Sequence, residues 1–125
     1  MLAVEPDNAQ ALFLLGAVAY QTGNLEQAAD LLARSVSVNP GNPAALCNLG
    51  VVQNRLQRHS EAIASYERAL ALRPDYADAY SNRGNALNAM REFAQAVSSY
   101  DRALALNPAL VEAHFPSLTP PVTNR

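Results

Sequence analysis

Apolar residues at Ala62, Tyr66, Ala69 and Leu70 follow the four-three-one spacing that keeps side chains on one face of an α-helix. The pattern returns one period later. Glu61-Ala-Ile-Ala-Ser-Tyr-Glu-Arg-Ala-Leu-Ala-Leu72 matches Gln95-Ala-Val-Ser-Ser-Tyr-Asp-Arg-Ala-Leu-Ala-Leu106, and Gln27-Ala-Ala-Asp-Leu-Leu-Ala-Arg-Ser-Val-Ser-Val38 reads in the same register. Each copy predicts a helix of roughly 13–15 residues. A proline follows each one, at Pro40, Pro74 and Pro108, with Pro6 upstream, all 34 residues apart. The residue before a proline is pushed out of the helical region, so Asn39, Arg73 and Asn107 mark the stops. A second, opening helix then starts in each period. Asn42 is placed to cap one, with Pro43 at its first position, Asp75 to cap the next, and Asp7 or Asn8 to cap the first. Short turns are expected at Gln21–Asn24, Gln57–Ser60 and Arg91–Glu92.

Glycines keep the same step. Gly16, Gly50 and Gly84 fall inside opening helices, where each costs about 1 kcal/mol relative to Ala. Close approach is the economical reason, and the in-phase Ala28, Ala62 and Ala96 are the expected partners. They are isolated in helices rather than clustered in a loop, so a phosphate or metal role has no support. A 34-residue period of paired helices is the mark of stacked units that bury their apolar faces only against their neighbours.

The run Leu46-x-x-Leu49-Gly50, then Ala62, Tyr66, Ala69 and Pro74, resembles the tetratricopeptide repeat (TPR), and the resemblance covers residues 2 to about 115. It implies an all-α solenoid, a right-handed superhelix of antiparallel helix pairs whose first helices line a concave groove. Leu12, Leu46 and Tyr80 stand at the family's tryptophan position, and Arg83 stands where leucine is usual. The units are 6–39, 40–73 and 74–107. Residues 1–5 match the last turn of a preceding second helix, 108–115 begin a fourth opening helix that Pro116 ends, and 116–125 lose the pattern and are expected to be disordered. The chain reads as a piece of a longer array, or a truncated reading frame of one.

Composition narrows the chemistry. A net charge of −2 over 125 residues gives no general pull towards nucleic acid or acidic membranes. All nine basic residues are Arg, a bias that resembles a GC-rich bacterial genome. Cys47 is alone, which excludes an intrachain disulfide and a cysteine-based metal site. The apolar run Ala11–Tyr20 lacks the basic start of a signal peptide and is too short to span a bilayer, so a cytoplasmic protein is expected. His59, in a turn, and His114 are 55 residues apart, and Glu67 and Asp101 recur with the period beside Arg68 and Arg102 as solvated ion pairs. Neither set makes a catalytic constellation. The expectation is a non-enzyme without cofactor or metal.

Candidate function therefore rests on the groove that the resemblance implies. Its candidate binding residues are Phe13, Tyr20, Asn48, Asn54, Asn82, Asn85 and Asn88. An asparagine amide both donates and accepts, so a row of them can pair with the backbone of an extended peptide, or can simply be solvated. Phe13 and Tyr20 are placed either to hold one apolar side chain or to pack beneath a further upstream repeat. Family members that bind chaperone C-termini use two lysines, an arginine and two asparagines. The matching positions here are Phe13, Ala17, Asn48, Asp78 and Asn82, so only Asn48 agrees and Asp78 would repel a carboxylate. The leading expectation is a protein-interaction module binding a peptide or a partner's surface. One alternative is the substrate-reading part of a larger enzyme, since the Asn-Leu-Gly and Asn-Arg-Gly motifs look similar to the TPR region of O-linked N-acetylglucosamine transferases. Another is an assembly piece that self-associates through its ends.

Overall fold

The computed structural model describes residues 8–110. They form six helices: α1 (Ala9–Gln21), α2 (Leu25–Val38), α3 (Pro43–Arg55), α4 (His59–Leu72), α5 (Ala77–Ala89) and α6 (Phe93–Leu106). No strand occurs among the described residues. The upstream remnant at 1–5, the tail at 116–125, His114 and most of 108–115 lie outside them. Opening helices have 13 residues and closing helices 14. Each helix packs on the next along the chain, and opening helices also touch one another, α1 with α3 and α3 with α5. That extra contact places α1, α3 and α5 on the inner side of the stack.

The starts of the helices follow their caps. Asn8 accepts from the Ala11 amide at 3.0 Å, and Asn42 accepts from Ala44 and Ala45 at 3.1 and 3.3 Å with Pro43 at the first turn. The third opening helix differs from expectation. It is entered through Tyr76, whose side chain makes no capping bond, while Asp75 pairs with Arg73 at 3.6 Å. The turns inside each pair share one device. Gly23, Gln57 and Arg91, 34 residues apart, all have positive φ, of 84°, 68° and 64°. Repeat one meets this left-handed step with glycine, and the other two meet it with ordinary residues. The second turn is also shorter than expected, so His59 and Ser60 belong to α4.

The core is built from Leu32 and Val36 of α2, Leu46, Leu49 and Val52 of α3, Tyr66 of α4 and small alanines throughout. The glycines admit large side chains rather than small ones. A Cβ at Gly16 would lie 2.7 Å from Leu32 Cγ, one at Gly84 would lie 2.5 Å from the Tyr100 ring, and one at Gly50 would run into the Tyr66 ring. The expected partners Ala28, Ala62 and Ala96 are buried one turn earlier. The reason is direction: a helical side chain leans towards its N-terminus and covers the turn before its own Cα. Thus Tyr66 covers the level at which Ala62 sits.

Arg83 is accommodated by polar contacts. Its guanidinium donates to Glu67 of α4 at 3.0 Å and to Ser99 of α6 at 2.6 Å, bridging two repeats. Glu67 therefore pairs with Arg83 rather than with Arg68, and Arg102 lies 5.3 Å over the Tyr80 ring, with no carboxylate pair among the described residues. At the two ends the stacking surface is open: Leu14, Leu15 and Val18 of α1 and Phe93 and Val97 of α6 are 40–57% exposed. Leu110 tucks against Ala103 of α6 with Ala77, Tyr80, Tyr100 and Leu104 around it. No described helix is long and apolar enough to cross a membrane.

Candidate functional site

The inner face gathers one side of each opening helix. Between α1 and α3 it opens into a cavity of about 170 Å³. Ala17, Tyr20 and Gln21 of α1, Leu32 of α2, and Asn48, Val51 and Val52 of α3 line it. Tyr20 and Asn48 thus share one cavity. Phe13 lies half-buried against the core instead and is not among the cavity's lining residues. Arg55, at the last position of α3, closes over Tyr20: its Nη1 donates to the phenol oxygen at 3.2 Å and its guanidinium carbon lies 5.7 Å from the ring centre.

The asparagines divide by what already engages them. Asn48 has no side-chain hydrogen bond among the described residues. Asn82 donates only to the Cys47 sulfur, at 3.7 Å, and a thiol is a weak acceptor. Asn85 accepts a 2.6 Å bond from the Tyr100 hydroxyl, and Asn54 is hydrogen-bonded to His59 through its side-chain oxygen. Those two keep only their amide hydrogens for a ligand. Asn88 is exposed at the end of α5. The sequence could not show these engagements, because His59 and Tyr100 come from the closing helices. His59 is itself half-buried and also contacts Gln57 at 3.2 Å, so it is not a free turn residue.

Cys47 sits beneath the middle of this face. Burial pushes its thiol up, against opposing hydrogen bonds from Asn82 and Tyr76. Desolvation likewise raises Tyr76 to about 12. A thiol held neutral is a poor nucleophile, so the arrangement suits packing. No group of three or more metal-ligating side chains occurs among the described residues.

Comparison with known proteins now places the chain. A model described as TPR repeat matches residues 54–90, and one described as Tetratricopeptide repeat matches 77–110. A third, described as anaphase-promoting complex, cyclosome, subunit 3, matches 1–69. The first TPR domain of human RPAP3, solved by NMR, is 30% identical over 83% of this chain and 82% of that one, with a TM-score of 0.78. The chain belongs to the tetratricopeptide repeat family. Two further solved structures extend the comparison. The first TPR of Spaghetti (RPAP3), bound to the HSP90 peptide SRMEEVD, is 29% identical over 86% of both chains, with a TM-score of 0.79. A point mutant of MamA is 30% identical over 84% of this chain and 77% of its own, with a TM-score of 0.77. Among curated protein sequences there is no significant match.

Proposed function

We propose that this TPR array binds an extended peptide segment of a partner protein along the inner face of α1, α3 and α5. One observation carries the reading: the α1–α3 cavity holds Tyr20 and an uncommitted Asn48, and Asn82 repeats the same amide one period along. The cavity suits a side chain and the amides suit a peptide backbone. The first TPR of Spaghetti (RPAP3), bound to an HSP90 peptide, supports a peptide as the class of ligand. The ligand here differs in chemistry. Of the five positions that the chaperone-binding members use, only Asn48 matches and Asp78 would repel a carboxylate, so in this reading a chain-terminal carboxylate is not the anchor. In this reading the protein is not an enzyme, works in the cytoplasm, and its open α1 and α6 faces are where further repeats or a second copy stack.

The test is a peptide library selected on the full chain, followed by titration of a selected peptide. Each lost hydrogen bond is worth about 0.5–1.5 kcal/mol net, so Asn48→Ala with Asn82→Ala weakens binding roughly five- to a hundredfold. Unchanged affinity in the double variant overturns the reading. The same asparagines would serve a glycosyltransferase's substrate arm, and a glycosyltransferase domain encoded in the same reading frame would favour that version.

A further inference from the structure

We infer that the α1–α3 cavity and Arg55 together read a short signature, an apolar side chain followed or preceded two residues away by aspartate or glutamate. The inference rests on the peptide-groove reading and adds the chemistry of its ligand. Size comes first. A cavity of about 150 Å³ holds one benzene, so 170 Å³ takes one side chain the size of leucine, methionine or phenylalanine. Four of its seven lining residues, Ala17, Leu32, Val51 and Val52, are apolar, and Tyr20, Gln21 and Asn48 add the polar part.

Charge comes second. Arg55 is exposed, and among the described residues it forms no ion pair, whereas Arg58, Arg73 and Arg83 each have a carboxylate. Tyr20 holds it from below through one hydrogen bond and the ring face. A guanidinium fixed by a neutral partner keeps its full charge and most of its five donors for a carboxylate. Spacing comes third. Tyr20 both lines the cavity and carries Arg55, whose guanidinium lies 5.7 Å from the ring centre. In an extended chain, residues two apart share a face at about 6.6 Å. Arg55 thus stands beside the cavity's Tyr20 wall, and in this proposal side chains i and i+2 of one extended peptide are the pair that would fill the cavity and meet it.

The experiment selects a randomised twelve-residue display library on the wild-type chain, on Arg55→Gln and on Val51→Phe, which fills the cavity. Ala17→Leu serves as a second filling variant should Val51→Phe not fold. Wild-type selections converge on apolar-x-Asp/Glu. Arg55→Gln selections keep the apolar position and lose the acidic one, and cavity-filled selections do the reverse. For a selected peptide with its C-terminus amidated, replacing the acidic residue by its amide weakens binding two- to tenfold on the wild type and not on Arg55→Gln. Raising salt from 50 to 500 mM narrows that difference. Acidic enrichment that survives Arg55→Gln, or that vanishes on amidation of the peptide terminus, overturns the inference. Peptides sensitive to Asn48→Ala with Asn82→Ala but lacking the signature overturn it alone, and leave the groove reading standing. Selections insensitive to every groove substitution overturn both.

Discussion

Two residues with unfavourable local preferences, Gly50 and Gln57, report how tightly the repeats are closed. Ala at position 50 would gain about 1 kcal/mol of helix propensity, yet its Cβ would run into the Tyr66 ring, which is buried and has nowhere to turn. Overpacking of this kind costs typically 1–3 kcal/mol. Gly50→Ala is therefore expected to lower the thermal midpoint, and to stop doing so in a Tyr66→Ala background, where the ring is gone. The periodic sequence made the glycines legible as close-contact sites, but not their partners, because which residue fills the space depends on side-chain direction. Gln57 makes the complementary case. Its φ of 68° places a residue with a Cβ where Gly23 stands one repeat earlier. A left-handed residue costs roughly 1–2 kcal/mol, part of which glycine's extra unfolded-state entropy offsets. Gln57→Gly should stabilise the protein by up to about 1 kcal/mol in urea denaturation. A loss of stability would show that the Gln57 contact to His59 outweighs the backbone strain.

Among the opening helices, α5 departs furthest from the pattern, entering without the side-chain cap that α1 and α3 have and carrying an arginine where α3 buries Leu49. What replaces apolar packing there is a bridge from α4 through Arg83 to α6. Its two ends are unequal. Glu67 is half exposed, so that ion pair contributes little. Ser99 is 1% exposed, and without Arg83 its hydroxyl loses its partner at a cost of about 1–3 kcal/mol. Arg83→Ala is thus expected to destabilise by that amount, and Ser99→Ala added to it should recover most of the loss. A double-mutant cycle by urea denaturation reads the coupling directly. If Glu67→Ala rather than Ser99→Ala rescues, the exposed ion pair is the stronger end. The substitution of arginine for leucine was visible in the sequence. The contacts that accommodate it were not, since they come from helices in two different repeats.

Across the whole molecule, the 34-residue period was enough to read the six helices and their stacking order, because both follow from repetition, while the inner face was what the resemblance to the tetratricopeptide repeat implied. Side-chain commitments on that face were beyond it: Asn54 and Asn85 match Asn48 in type, but closing-helix partners hold them. Burial of titratable groups on opening and closing helices alike sets how the molecule responds to alkali. Cys47, Tyr66, Tyr76 and Tyr100 are all raised by desolvation in the folded state. The thiol of an unfolded chain ionises near pH 9 and its phenols near pH 10, while the folded protein holds them neutral to higher pH. The unfolded state then binds fewer protons, so stability falls as pH rises. Below about pH 8 both states are protonated and these groups contribute no slope. The chain contains no lysine, so no side-chain ammonium titrates alongside them. Urea midpoints should be level with respect to these groups up to about pH 8 and decline progressively towards pH 12. Tyr66→Phe should make the decline shallower, since Tyr66 is 1% exposed and a buried phenolate there is the costliest of the set. An undiminished slope in Tyr66→Phe would move the effect to Cys47 and Tyr76 beneath the groove, where Cys47→Ala then becomes the variant that flattens it.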